Sequence, residues 1–346
     1  MLRYLKLHLK NLFPGYFALV MATGALSIGS YFLGMLFLAR LLLYVNVVAY
    51  IALWALTLLR IHFFFKRMLV DITSHTRGPG FFTYVAGTSV FGSQLIVVTK
   101  QYSIAVYLWV FACLLWLLIM YTFFTAVTIR KNKPSVSEGI NGAWLIAAVA
   151  TQSISILGTL LTPYVDNGKA TLLFVTLCMY FLGCMLYLNI ITLIFYRFTF
   201  LKLEFSALTP PYWINMGAVA ITTLAGSTLI LHANNWSLLS EITPFLKGFT
   251  LFFWITGTWW IPLLFILMIW RHLINRYPLS YEPQLWGMVF PLAMYTTSTL
   301  QLSKALDFDT LIIIPSFMIY IAIIAWLCVF SSLLYQICKN AFRYML

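Results

Sequence analysis

Residues 41–56 read LLLYVNVVAYIALWAL, and residues 86–94 read AGTSVFGSQ. The first stretch is part of a charge-free run long enough to cross a hydrocarbon core roughly 30 Å thick. The second lies in a run of similar length, but it is built from small and hydroxyl side chains. Lipid suits the first kind of helix. The second needs neighbours, because Gly, Ser and Thr allow close helix approach and their hydroxyls seek partners away from lipid. A chain that keeps alternating the two kinds is a helical membrane protein with an inside and an outside.

The alternation runs from end to end. The odd spans carry MATGALSIGS (21–30), AGTSVFGSQ, VATQSISILG (149–158), GAVAITTLAGST (217–228) and AMYTTST (293–299). Even spans read like residues 41–56 or CLLWLLIMYTFF (113–124). Over five odd segments, 32 of 99 positions are Gly, Ser or Thr, against 18 of 126 in the even ones, which separates two classes of helix. The expected fold is an all-α integral membrane protein of ten transmembrane helices, arranged as five helical hairpins around a central pore. The spans are placed near 13–32, 41–63, 81–99, 103–129, 141–163, 170–197, 212–232, 246–270, 284–303 and 310–338. Breakers separate them, among them Arg77-Gly78-Pro79-Gly80, Asp166-Asn167-Gly168 and Pro210-Pro211. The whole chain, 1–346, reads as one membrane domain. Residues 1–12 form an interfacial lead-in, with Arg3, Lys6 and Lys10 on one side and leucines on the other.

Composition excludes most other classes. The chain is 62% hydrophobic and only 8% charged, where a soluble domain carries about 25% charged residues. The net charge of +13 does not indicate a nucleic-acid partner, since the basic residues are scattered through short connections. It indicates topology. With ten spans, 16 Lys and Arg fall on the side of both termini and 5 on the other. Basic loops stay in the cytoplasm, so both termini are expected to be cytoplasmic and the location is the plasma or inner membrane.

No ionisable residue is expected at mid-depth, and that argues against a carboxylate proton relay or a voltage sensor. His8, His62, His75, His232 and His272 fall in loops or at span ends, and the five cysteines lie in apolar runs without a CxxC pair. No HExxH or paired-carboxylate site appears. An enzyme, a metal site and a cofactor are therefore not expected. The inner helices offer backbone, amides and hydroxyls: Thr23, Gly24, Ser27, Thr88, Ser89, Gln94, Thr151, Gln152, Ser155, Thr222, Thr223, Thr296 and Thr297. As pore lining, such neutral dipoles would hold a small anion weakly and let it leave. Taken singly, each is equally a packing residue. Pro14, Pro79, Pro211 and Pro291 are expected to bend the inner helices, and Trp116 is expected to face lipid.

Specific strings carry a resemblance. Phe13-Pro14-Gly15-Tyr16-Phe17 with Met21-Ala22-Thr23-Gly24 resembles the first helix of the tellurite-resistance/dicarboxylate transporter family. That family includes plant slow anion channels, a bacterial tellurite-resistance channel, and yeast malate and sulfite transporters. Asn141-Gly142-Ala143-Trp144 with Val149-Ala150-Thr151-Gln152-Ser153 is similar to its fifth helix, and Trp286-Gly287-Met288-Val289-Phe290-Pro291 to its ninth. The resemblance implies kinked inner helices around a pore in each subunit, a homotrimer, and a phenylalanine plug that falls by position on Phe290, with Pro291 as its hinge. The expected function is passage of small inorganic or organic anions. Two alternatives stand beside it. One is a carrier for malate, sulfite or tellurite; the other is a membrane scaffold or receptor without transport.

Overall fold

The computed structural model describes Lys6 and residues 9–343, with side chains to Asn340. Arg3, His8 and the Arg343 side chain lie outside the described part. Ten long helices follow one another: α1 Ala18–Phe32, α2 Leu36–Ile72, α3 Phe82–Thr99, α4 Tyr102–Ile129, α5 Ile146–Leu160, α6 Lys169–Phe200, α7 Ile214–Leu231, α8 Thr243–Ile269, α9 Trp286–Leu306 and α10 Ile313–Arg343. Among the described residues nine helices are long and apolar enough to span a bilayer. The helix left out is α9. Its 21 residues span about 31 Å at 1.5 Å each, but the run Tyr295-Thr296-Thr297-Ser298-Thr299 lowers its hydropathy.

The two compositional classes become two layers. In α1, α3, α5 and α7 with their lead-ins, 83–94% of the apolar window is buried; in α2, α4, α6, α8 and α10 only 22–39% is. The odd helices are therefore the inner set. Each touches the next, α1 to α3, α5, α7 and α9, and α9 returns to α1, so the contacts close into a ring. Each inner helix also packs on the outer helix that follows it in the chain. Outer faces present Phe37, Tyr107 and Phe317, more than two-thirds exposed, as lipid-facing surfaces should.

Every seam of the inner ring holds a glycine where a Cβ would collide. A methyl at Gly24 would meet Val90, at Gly92 Leu157, at Gly142 the Pro211 carbonyl, at Gly217 the Pro291 ring, and at Gly29 the Thr297 hydroxyl. Small residues thus set the diameter of the ring.

A second repeat joins outer to inner helices. An aromatic side chain on each outer helix donates to the next inner helix. Trp116 donates to Thr151 at 2.9 Å, Trp254 to Thr299 at 2.9 Å and Trp326 to Thr23 at 2.9 Å. Tyr50 meets Thr88 at 3.2 Å, and Tyr187 reaches the Asn215 carbonyl at 3.4 Å. Trp116 is therefore 5% exposed and not a lipid-facing ring.

The helix ends depart from the expected spans for a physical reason. The second helix continues past 63 to Ile72, bending at Phe64 (φ −138°, ψ 35°), because its last turns carry Arg60 and Asp71 into a buried ion pair. Pro14, Pro79 and Pro211 sit in 3₁₀ turns that start inner helices, where a missing N–H costs nothing. Of the four prolines expected to bend inner helices, Pro291 alone stands inside a helix.

Candidate functional site

Each inner helix is preceded by a 3₁₀ turn: Pro14–Phe17, Gly78–Phe81, Gly142–Leu145, Pro210–Trp213 and Pro283–Leu285. Neighbouring turns touch, and the fifth touches the first. They ring a cavity of about 320 Å³ to which all five contribute, through Gly15, Gly80, Ala143, Pro211 and Gln284. Phe290 lines it too and is 1% exposed. At the other end of the ring lies a smaller cavity of about 70 Å³, again drawing on all five inner helices.

The axial residues recur every seven positions. The larger cavity takes Met21, Thr83, Ile146, Ile214 and Gly287. The smaller takes Ile28, Val90, Ser153, Ile221 and Met294, and then Val97, Leu160, Thr228 and Gln301. Seven residues are about two turns of helix, so one narrow stripe on each helix faces the axis. The cavities are separated by about 10 Å along four helices. On α9 the gap is about 6 Å, from Phe290 to Met294. Pro291 sits in that gap. It has no N–H to give the Gly287 carbonyl, and its ring fills the space left by Gly217.

None of the thirteen candidate lining positions borders either of these two cavities. Thr23, Thr88 and Thr151 accept from Trp326, Tyr50 and Trp116. Ser27 donates to the Ala39 carbonyl at 2.7 Å, Gln152 to that of Tyr180 at 3.0 Å and Ser155 to that of Thr176 at 2.7 Å. Thr297 reaches the Ala25 carbonyl at 3.1 Å. Thr222, Thr223 and Thr296 bond back to the carbonyl four residues earlier. Ser89 is buried without a hydrogen-bond partner among the described residues, and Gly24 admits Val90. Gln94 accepts from Asn46 at 2.7 Å. Thr23, Thr88 and Thr151 thus occupy seams between helices, where an outer aromatic satisfies each hydroxyl. The walls of the two cavities carry other polar side chains, among them Thr83, Ser93, Ser153, Thr228 and Gln301. The seven-residue spacing is the available signal for all of these but Ser93.

Several of the basic residues are withdrawn from solvent. Arg60, Arg197 and Arg271 are buried. Arg60 pairs with Asp71, and Arg77 joins the same carboxylate at 3.0 Å while lining the larger cavity. Arg197 donates to the Ile140 carbonyl and Arg271 to that of Leu208. Neither has a carboxylate partner among the described residues. Of these cations Arg77 lines the larger cavity, together with the lead-ins of the five inner helices, while Arg197 and Arg271 hold the carbonyls of Ile140 and Leu208 behind two of those lead-ins. Each N-terminus carries roughly half a positive charge.

A separating pair of substitutions follows from this geometry. Thr151→Val removes a seam hydroxyl and leaves the Trp116 indole without its acceptor, costing about 1–3 kcal/mol. It should lower thermal stability and leave transport rate per folded protein unchanged. Ser153→Leu, two residues on, should reduce transport with little loss of stability. Thermal unfolding in detergent and reconstituted flux measure the two effects.

Comparisons with known proteins agree with this architecture. An uncharacterized transporter of Methanocaldococcus jannaschii is 26% identical over 310 residues, covering 87% of this chain and 88% of that protein. An uncharacterized membrane protein of Mycobacterium tuberculosis is 36% identical over 159 residues, covering 46% of this chain and 80% of its own length. The profile of the SLAC1 voltage-dependent anion channel family matches residues 11–334. The chain belongs to that family of membrane channels and transporters, the group its helix strings resemble.

Proposed function

We propose that the protein passes small anions along the axis of its inner ring, through a path closed at Phe290. The observation that carries this reading is the pair of coaxial cavities, each built from all five inner helices and separated by about 6 Å at Phe290 and Met294. Arg77 and the five helix N-termini at the larger cavity favour anions, and they concentrate them before the constriction. Beyond that cavity the wall carries no Lys, Arg, Asp or Glu, and its polar groups are Ser93, Ser153, Thr228, Gln301 and His232.

The full reading has ten spans with α9 as the ninth, both termini in the cytoplasm, and three copies assembled with one pathway in each. The basic-residue bias supports the orientation. Exposed apolar faces on every outer helix leave room for lipid and for neighbouring copies. A reporter fused at the C-terminus should be cytoplasmic, and mass measurement in mild detergent should find a trimer. A periplasmic or extracellular reporter would reverse the topology.

Flux from liposomes loaded with chloride, nitrate, sulfite, malate or tellurite tests the function itself. No flux of any of these would leave the scaffold reading. Turnover held within about 1–10³ s⁻¹ would favour a carrier over a channel.

Arg77→Gln is the sharper test of anion preference. Asp71 keeps Arg60 as partner, and the group's formal charge falls from +1 to zero. Anion flux should drop several-fold at low ionic strength and much less at high salt, because screening already weakens the attraction. An unchanged flux at low salt would remove Arg77 from the mechanism.

A further inference from the structure

Four of the five hairpins share a clamp. Near the end of the outer helix an arginine donates to a backbone carbonyl just ahead of its own inner helix. Arg60 reaches Lys10 at 3.3 Å, Arg130 reaches Thr73 at 3.3 Å, Arg197 reaches Ile140 and Arg271 reaches Leu208. The guanidinium holds the lead-in, and so the 3₁₀ turn, against the outer helix. Its fixed fork of donors suits a carbonyl better than a lysine would.

The fifth hairpin has no such bond among the described residues; α10 carries no arginine from Ile313 to Asn340, and the side chain of Arg343 lies outside the described part. Facing the lead-in to α9 it presents Ser332, Gln336 and Lys339. Between these and Ser280 and Tyr281 is an open polar cleft of about 650 Å³. The Tyr281 hydroxyl is itself buried, beside Tyr16 and Trp286, so the hydroxyls open to the cleft are those of Ser280, Ser331, Ser332 and Tyr335. Lys339 lies over the Tyr335 ring, 5.8 Å from its centroid, at the cleft wall. Glu282 is the nearest acid in sequence; burial raises its carboxyl pKa, and the Arg271 charge partly offsets this.

An apolar groove of about 430 Å³ adjoins the cleft across Tyr281–Pro283. It runs between α2 and α10, and its walls include Leu12, Leu53, Leu56, Leu333 and Ile337. Leu333 and Ile337 follow directly on Ser332 and Gln336 of the cleft. A polar cleft with a lysine thus opens beside a lipid-facing apolar groove of acyl-chain character. Basic pockets between membrane helices take anionic head groups in this way.

We propose that this junction binds an anionic phospholipid, its phosphate on Lys339 and the cleft hydroxyls and one acyl chain in the α2–α10 groove, as the fifth clamp. The lipid then ties α10 to the lead-in of α9, the helix that carries Phe290. The site does not depend on transport, so it is tested without flux.

Native mass spectrometry and thermal unfolding of the purified full chain would be compared with added dioleoyl phosphatidylglycerol, dioleoyl phosphatidylcholine or inorganic phosphate. Phosphatidylglycerol should be retained and raise the unfolding midpoint by several degrees, with neither control doing so. Lys339→Gln, at an exposed position, should weaken retention at least several-fold, and Leu333→Trp should do the same by filling the groove. Gln336→Arg supplies a guanidinium at the cleft. It should raise the midpoint without lipid and abolish further stabilisation by phosphatidylglycerol. Equal retention of the two lipids, or retention unaffected by Lys339→Gln, overturns the proposal. Stabilisation by phosphate alone also overturns it, by making the cleft a site for a soluble anion.

Discussion

Phe290→Ala should raise anion flux at least several-fold while the protein folds and assembles as before. The ring stands at the inner end of the larger cavity, one helical turn from Met294 in the smaller one. It offers no donor to an ion that must shed water to pass, and an apolar constriction of this kind blocks by dewetting. Truncation removes the obstruction and enlarges a cavity that is already present. The usual penalty for deleting a buried phenyl, about 3–5 kcal/mol, should therefore be reduced by water filling the space. Phe290→Leu should leave a partial block. Pro291→Ala should alter gating by restoring the N–H that the Gly287 carbonyl lacks. Tyr107→Ala is the control, because that ring is 77% exposed on an outer helix; Trp116 cannot serve, being tied to Thr151. Reconstituted flux at matched protein content decides the matter. Wild-type flux from intact Phe290→Ala protein would make the ring a packing residue and move the closure elsewhere.

Gly142→Ala should cause a large loss of stability of the inner ring. An added Cβ would lie 2.3 Å from the Pro211 carbonyl oxygen and 2.6 Å from both its carbon and the Tyr212 Cα. All three atoms are backbone, and the proline beside them has a fixed φ, so the neighbour has little room to yield. Overpacking costs about 1–3 kcal/mol in ordinary cores, and rigid backbone on both sides places this site at the upper end. The two 3₁₀ turns would separate, opening the ring between its third and fourth members. Gly248→Ala is the matched control, as nothing lies within 4 Å of its added methyl and alanine favours helix. Thermal unfolding in mild detergent should show a clear drop for the first and no drop for the second. Equal midpoints would mean that the turns tolerate separation.

Much of the architecture was legible in composition because lipid is an undemanding solvent with a single strong rule. A helix that faces it must be apolar, so residues 41–56 announce an outer helix. A helix rich in Gly, Ser and Thr must find protein on every side, so residues 86–94 announce an inner one. The family strings placed Phe290 and Pro291 together on α9, and the structure brings both to the divide between the cavities.

The choice of face belonged to tertiary structure. On an inner helix, axis and seam are both enclosed by protein, so hydropathy does not separate them; Thr151 and Ser153 have similar chemistry and opposite surroundings. What separates them is whether an outer-helix aromatic stands opposite, as Trp116 does for Thr151, and that partner lies 35 residues away in the chain. The arginines make the same case. Arg197 reads as one of several cations closing a span, and its burial follows from a carbonyl 57 residues distant. Alternation of composition determined the layers from the sequence alone, since a helix's layer depends on that helix and its solvent. Which side chains meet at the axis, and where a guanidinium ends, depend on helices brought together from distant parts of the chain, and only the closed ring decided them.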